Sequence, residues 1–302
     1  MSMISRFRIH DQEFVVTGGV FKTIRAKNEW DVDIDAPHII LEEIKNRNIR
    51  ADLFTFGQRL PYTKHFLGFQ VEMDNSAAIP ITTYESWWKD VNRRVRLKVN
   101  KAERLGVLVR VSEFNDELVR QIKDIFDEFP LRQGVPFHHY QKPLSYIKER
   151  MGTYSERADF LCAYYQEEPI GILKLVYSGQ SARMMTIVGK ISHRDKAPVN
   201  AMLSKAVERC IQKGVTFLTY GKLYYGKKGL DSLAHFKIHN GFKKFDLPRY
   251  YAPLNGRGRL YLSLRLYRRP NEIIPESLAR PMRDLRQRWY RARYKNTGAE
   301  ES

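Results

Sequence analysis

The sequence predicts a mixed α/β fold of the α+β kind, a mixed sheet covered by helices. Three observations carry this. Apolar runs at 159–165, 170–177 and 182–191 are joined by the short polar turns QEEP and SGQS, the spacing of an antiparallel meander. Two strongly amphipathic helical stretches bracket that meander, near 116–129 and 197–213. From Gly106 onward, helical and strand-like periodicities alternate almost to the end of the chain.

Taken in order, 1–83 reads as short mixed elements. FVVTGG and DLFTFGQ are strand-like, and 37–47 is a short amphipathic helix containing Ile39, Leu41 and Ile44. One helix is expected over 84–105, where Trp87, Trp88, Val91, Val95, Val99 and Ala102 recur at three- and four-residue steps and Gly106 ends the pattern. Its other faces carry seven bases, Lys89, Arg93, Arg94, Arg96, Lys98, Lys101 and Arg104, which read as a solvated face or a phosphate-facing strip. Strand 107–111 follows. Asn115 or Asp116 then caps a helix stopped by Pro130. The loop LRQGVPFHHYQKP leads to a short helix at 144–151, and the meander comes next. Pro198 in the first turn and Gly214 at the end delimit the helix over 197–213. VTFLTYG is a strand, LDSLAHFKIHNGF a short helix, and two final strands are expected at 245–254 and 258–267. The organisation is thus an N-terminal segment 1–83, a main domain 84–267 and a basic tail 268–302.

Composition narrows the function classes. With 43% hydrophobic residues a sizeable core can form, and disorder is disfavoured. No apolar run approaches the roughly 18 residues of a spanning helix. Charges in MSMISRFRIHDQEF stand where a signal peptide is apolar, so a cytoplasmic protein is expected. Cys162 and Cys210 lie in apolar patterns and read as reduced core thiols; no CxxC, HExxH or zinc-ligand pair occurs, and no metal is expected. Lys and Arg number 52 against 34 Asp and Glu, a net charge of +18, which implies an anionic partner: a phosphorylated cofactor, a nucleic acid or an anionic lipid surface. The tail concentrates nine of the bases around a stripe of Leu278, Met282, Leu285 and Trp289. Such a basic amphipathic helix packs on the domain or lies peripherally on an anionic membrane, here at its inner face.

The element order over 106–267, together with RRVRLKVNKAERLGVLVRV and GLDSLAHFKIHNGFKKFDLPRYYAPL, resembles the GNAT acyltransferase fold. Within that fold the two segments are similar to the Fem-type aminoacyltransferases, which modify cell-wall precursors, and the chain also resembles uncharacterised bacterial GNAT proteins. The resemblance implies an N-acyltransferase. It would move an acyl group from acyl-CoA, or an aminoacyl group from aminoacyl-tRNA, to an amine, with a cell-envelope sugar or peptide precursor as acceptor. The competing readings are a catalytically inactive GNAT fold that binds RNA, and a membrane-surface module.

The same resemblance points to site residues. In GNAT enzymes a glycine-rich loop and helix start after the fourth strand bind the pyrophosphate of acyl-CoA through free backbone N–H groups. The matching stretch here is Arg194-Asp195-Lys196-Ala197-Pro198-Val199, without the glycines. Arg194 and Lys196, with Asn200 and Lys222, are the donor-phosphate candidates; Fem-type enzymes also lack a good glycine cradle and use aminoacyl-tRNA. Acyl transfer to an amine needs a base, an acid and donors for the oxyanion. Asp195 and His193 are the candidates for the base. Tyr224 and Tyr225, in the loop GKLYYGKKG, are the candidates for the acid. Arg132, His138, His139 and Tyr140 suit a charged or sugar-like acceptor. Lys227 adds charge to the tyrosine loop, and Lys237 holds the lysine position of the Fem-like segment.

Overall fold

The structure, a computed structural model, describes residues 5–61, 63–225, 231–268 and 276–295. The elements begin with β1 (Ser5–Ile9), β2 (Gln12–Thr17), β3 (Thr23–Ala26), α1 (Pro37–Asn46), β4 (Leu53–Gly57) and β5 (Gln70–Pro80). Next come α2 (Tyr84–Asp90), α3 (Arg93–Arg104), β6 (Leu108–Ser112), α4 (Asp116–Phe126), the short pair β7 (Leu131–Arg132) and β8 (Val135–Pro136), and α5 (Leu144–Gly152). The meander β9 (Ala158–Tyr165), β10 (Glu168–Ser178) and β11 (Ser181–Gly189) leads through α6 (Pro198–Gln212) to β12 (Phe217–Thr219) and α7 (Ser232–His239). β13 (Lys243–Pro253), α8 (Gly256–Ser263) and α9 (Glu276–Lys295) complete the order.

The chain divides into two compact units, Met1–Ser76 with Lys244–Ile273, and Ala77–Lys243 with Ile274–Ser302. In the first, the strands lie in the order β1-β2-β3-β4-β13, antiparallel except for the parallel pair β3/β4, which α1 connects. Aromatic rings fill its core: Phe56 stacks on Tyr250 with centroids 4.9 Å apart, and Phe14, Ile24, Ile44 and Phe54 close round them.

In the second unit the order is β12-β11-β10-β9-β6, with the end of β5 on the far side of β12. The period of two along the meander feeds two cores. Leu161, Ala163, Leu173 and Leu175 pack toward α6, and Phe160, Cys162 and Ile172 toward α4 and α5. Cys162 and Cys210 are both buried, unpaired thiols, and burial raises the Cys162 pKa to about 11. α4 forms as its pattern predicts, with the Asn115 side chain accepting the Leu118 N–H at 2.9 Å.

Two sequence expectations are corrected. The single helix over 84–105 is two: Val91 adopts an extended conformation and Asn92 caps α3 through the Arg94 N–H. The Arg96 guanidinium secures this break by donating to the carbonyls of Trp88 and Val91. The strand expected at 258–267 is instead helix α8 over its first half, since Asn255 caps it by accepting the Gly258 N–H at 2.9 Å. Gly258 permits this, because a Cβ there would sit 1.9 Å from the Asp52 carbonyl oxygen.

Candidate active site

Two features of β11 make an opening. It pairs in parallel with β12 only over Ser181–Arg183 against Phe217–Thr219, although it runs on to Gly189. Among the described residues the two strands do not pair beyond Arg183 and Thr219. A bulge lies at the same level: Lys174 faces Thr186 while Leu175 faces Met184, so Met185 is the extra residue. Functional groups gather at the two ends of this gap. Six residue steps along β11, roughly 20 Å of extended chain, separate Arg183 from Gly189.

At the exit of β11 stand the donor-loop and acceptor-loop candidates. Arg132 donates from Nη1 to the Gly189 carbonyl at 2.8 Å and from Nη2 to the Ile125 carbonyl at 2.9 Å, and its guanidinium lies 4.9 Å from the Phe137 ring. His139 is buried against Phe126, with ring centroids 4.8 Å apart, and burial, reinforced by the charges of His138 and Arg150, pushes its pKa down to about 4. It is therefore neutral at pH 7. His138 is exposed, and the Tyr140 hydroxyl accepts from Gln141 at 3.2 Å. Two buried polar atoms of this loop, Arg132 Nε and His139 Nδ1, have no hydrogen-bond partner. Buried polar atoms are rarely left so.

The loop between β11 and α6 carries the other candidates. His193 lies 3.5 Å from the Glu168 carboxylate, and its Nδ1 is 3.0 Å from the Ser192 hydroxyl. Asp195 is exposed and pairs with Lys196 at 3.3 Å, while the Lys196 ammonium also lies 4.8 Å from the Tyr165 ring. Arg194 is exposed. Asn200 is buried and donates to the Asn240 side chain at 3.2 Å, which ties α6 to α7.

The backbone of this loop is largely engaged. The N–H groups of Arg194, Lys196, Ala197 and Asn200 bond to the carbonyls of Ile191, His193, Arg194 and Ala197 respectively. The two N–H groups ahead of them hold an anion from the chain itself. The Glu128 carboxylate, whose side chain is 13% exposed, accepts from Ile191 N–H at 2.6 Å, Ser192 N–H at 2.9 Å and the Ser192 hydroxyl. Glu128 was not among the sequence candidates. It stands just past α4 and meets partners some sixty residues later, so no local pattern announces it.

At the exit of β12 the second group surrounds Lys237, whose residue is 1% exposed. Its ammonium donates to the carbonyls of Tyr220 at 2.7 Å and Lys222 at 2.6 Å, and lies 4.5 Å and 5.2 Å from the rings of Tyr220 and Tyr225. Burial, assisted by the charge of Arg183, brings its pKa down to about 8. The loop it braces carries Tyr225, whose hydroxyl lies over Gly221, and Tyr224, which packs on the core. Arg183 is the second residue that the sequence did not single out. It is at the mouth of the gap, where burial lowers its pKa and Tyr225 and Tyr154 oppose that fall. Lys227 lies outside the described residues.

Helix α3 packs beside the 194–196 turn, and the charge of Lys101 reaches Asp195. Arg93, Arg94, Lys98, Lys101 and Arg104 are exposed there, and no carboxylate among the described residues pairs with them.

A meander, a crossover helix and a parallel strand that parts from its neighbour are the arrangement of the GNAT acyltransferase fold. Residues 89–237 match the family model described as an acetyltransferase (GNAT) domain, and over those residues this chain is a GNAT acyltransferase domain. Among solved structures it is similar to FemX, with a TM-score of 0.64 at 13% identity, covering 86% of this chain and 90% of that one. It is also similar to the C-terminal domain of a protein designated a lysylphosphatidylglycerol synthetase from Agrobacterium fabrum, with a TM-score of 0.57, 14% identity and 86% of each chain covered. L-PGS from Bacillus licheniformis follows, with a TM-score of 0.57, 13% identity, and 82% and 83% covered. At these identities the likeness is one of fold. The comparison with curated proteins finds no match.

Proposed function

We propose that this acyltransferase takes an aminoacyl group from aminoacyl-tRNA and passes it to an amine of a cell-envelope sugar or peptide precursor. One observation carries the choice of donor. The loop in which a GNAT enzyme offers free N–H groups to the CoA pyrophosphate has most of its N–H groups bonded to its own carbonyls, and Glu128 puts a negative charge on the two N–H groups before it. A diphosphate there would meet a carboxylate instead of donors, so acyl-CoA fits this loop poorly. The exposed bases of α3 and Arg194 suit a polynucleotide, whose binding gains from counterion release. The Fem and lysylphosphatidylglycerol names of two fold neighbours agree with aminoacyl transfer.

In the reaction the acceptor amine attacks the ester carbonyl, the bond to the ribose oxygen breaks, and a proton passes from nitrogen to that oxygen. His193 or Asp195 is the base in this reading, Tyr225 or Tyr224 the acid, and Arg132, His138, His139 and Tyr140 form the acceptor wall. The test is thermal stability of the purified protein with bulk aminoacyl-tRNA, acetyl-CoA and longer acyl-CoAs, in low and moderate salt. A rise with charged tRNA alone is the expected result. A rise with an acyl-CoA that disappears in Arg194→Ala would overturn the choice of donor. Salt-steep RNA binding without transfer would return the protein to the RNA-binding reading.

A second reading concerns location: a cytoplasmic protein held peripherally at the inner membrane face by α9. Among the described residues no helix is long and apolar enough to cross a membrane. Gln287 of α9 lies against Gly134, while Met282, Leu285 and Trp289, roughly 140–160° round the helix from Gln287, are 69%, 70% and 53% exposed. The helix thus rests on a polar edge and turns its apolar stripe outward among arginines. Loss of flotation with phosphatidylglycerol vesicles on deleting 270–302 is the expected result; unchanged flotation would refute the reading.

A further inference from the structure

A cleft of about 590 Å³ opens within the first unit, and no residue assigned to transfer lines it. It lies at the N-terminal ends of the parallel pair. Its walls come from the turn before β3, the end of α1 with the residues before β4, and the turn between β13 and α8. The volume is that of a small-molecule site.

The lining is one-sided in charge. Lys22, Lys45, Arg50 and Arg257 face a single carboxylate, Asp52. Asp52 is 5% exposed and its oxygens are already engaged: it accepts from the Lys22 backbone N–H at 2.8 Å and the Asn255 amide at 3.2 Å, with Arg257 Nε 3.7 Å away. It therefore sets the wall and the position of Arg257, and leaves the other cations unneutralised. Among the described residues no carboxylate pairs with the side chains of Lys22, Lys45 or Arg50. Three such cations sharing a concave surface repel one another and raise the local potential for an anion. Beneath them Ile49 and Leu254 form an apolar floor.

We propose that this cleft binds a phosphate-bearing ligand. Its phosphate sits among Lys22, Lys45 and Arg50, with Arg257 closing one side, and its carbon portion lies on Ile49 and Leu254. A compact tetrahedral dianion suits cations converging from three chain segments, and charge-assisted bonds to phosphate are the strong class of hydrogen bond. The shared group is phosphate, which a soluble monoester offers as a dianion and the headgroup of phosphatidylglycerol as a monoanionic diester.

The experiment uses the full chain in two arms, titration with glycerol 3-phosphate followed by calorimetry, and co-sedimentation with phosphatidylglycerol or phosphatidylcholine vesicles. The variants are Lys45→Ala, Arg50→Ala and their double. All three side chains of the phosphate seat are exposed at the surface, and unchanged melting temperatures verify folding. Lys98→Ala, a basic residue of α3, is the control. The proposal expects phosphate binding that weakens about tenfold per cation removed and is untouched by Lys98→Ala. Binding of glycerol 3-phosphate with that pattern identifies a soluble ligand. Binding only to phosphatidylglycerol vesicles, with the same dependence on Lys45 and Arg50, identifies a lipid headgroup. Binding in neither arm, or binding equal in wild type and the double variant, overturns the site. Neither arm measures aminoacyl transfer, so either result leaves the donor assignment standing on its own test.

Discussion

The two units share a plan and differ in what is added to it. Each sets antiparallel strands ahead of a helix that crosses over to a parallel strand: β1-β2-β3-α1-β4 in the first, β9-β10-β11-α6-β12 in the second. In the second, α4, α5 and the 131–140 loop precede the meander, and their side chains reach forward to the loop after β11, through Arg132 to Gly189 and Glu128 to Ile191 and Ser192. The candidate transfer side chains lie there and at the exit of β12, both on the side of the C-terminal ends of the parallel strands. Among the described residues of the first unit no helix precedes β1, and its charged cleft lies at the N-terminal ends of its parallel pair. A shared strand order thus supplies a frame, and the chemistry follows from the elements packed against it.

The largest expected effect breaks the second unit's site. Lys237→Ala removes the cation that holds the carbonyls of Tyr220 and Lys222, so the tyrosine loop loses its position, and turnover falls about 100-fold. Transfer kinetics check this, and a variant with unchanged turnover would show that the loop needs no brace. Next, Glu128→Ala leaves the Ile191 and Ser192 N–H groups without their acceptor. Denaturant unfolding is expected to show a loss of about 2 kcal/mol, with pyrophosphate binding gained relative to wild type.

A smaller effect is graded by pH. Lys174 and Lys237 both have pKa values held near 8 by burial, below the ordinary lysine value of 10.5. Above pH 8 the native state gives up these protons before the unfolded chain does, so unfolding free energy rises with pH toward 10.5, by at most about 1.4 kcal/mol per pH unit for each group. Below pH 8 both states are protonated and the slope vanishes. Lys174→Met is expected to flatten the rise seen in stability curves between pH 8 and 9.5, and an undiminished slope would mean that Lys174 stays charged. The smallest effect belongs to the first unit: Arg50→Ala changes stability by less than about 0.5 kcal/mol and leaves transfer rates alone, whereas a large change would mean that its cleft is structural.

Much of the frame was legible because its signals are local. The three runs of the meander, the Asn115 cap and the glycines at 106 and 214, both at positive φ, needed only neighbouring residues to be read. Where a tertiary partner decided, the reading failed. Arg96 drawn to the carbonyls of α2 stabilises a break inside an unbroken apolar pattern. The contact of Gly258 with Asp52 turns an alternating segment into a helix. Of the candidate site, the sequence singled out residue types and loops, and it passed over Glu128 and Arg183, since the contacts of each are with residues distant in sequence.

By itself, then, the sequence determined the mixed sheet, the meander, the helices on either side of it and a strongly cationic surface, because periodicity, caps and net charge are properties of short segments or of composition. Tertiary structure alone decided that β11 and β12 part beyond Arg183, that Lys237 is an internal brace, and that the loop after β11 already holds a carboxylate. Those outcomes depend on which side chain reaches which backbone group across tens of residues, and only the closed fold sets that distance.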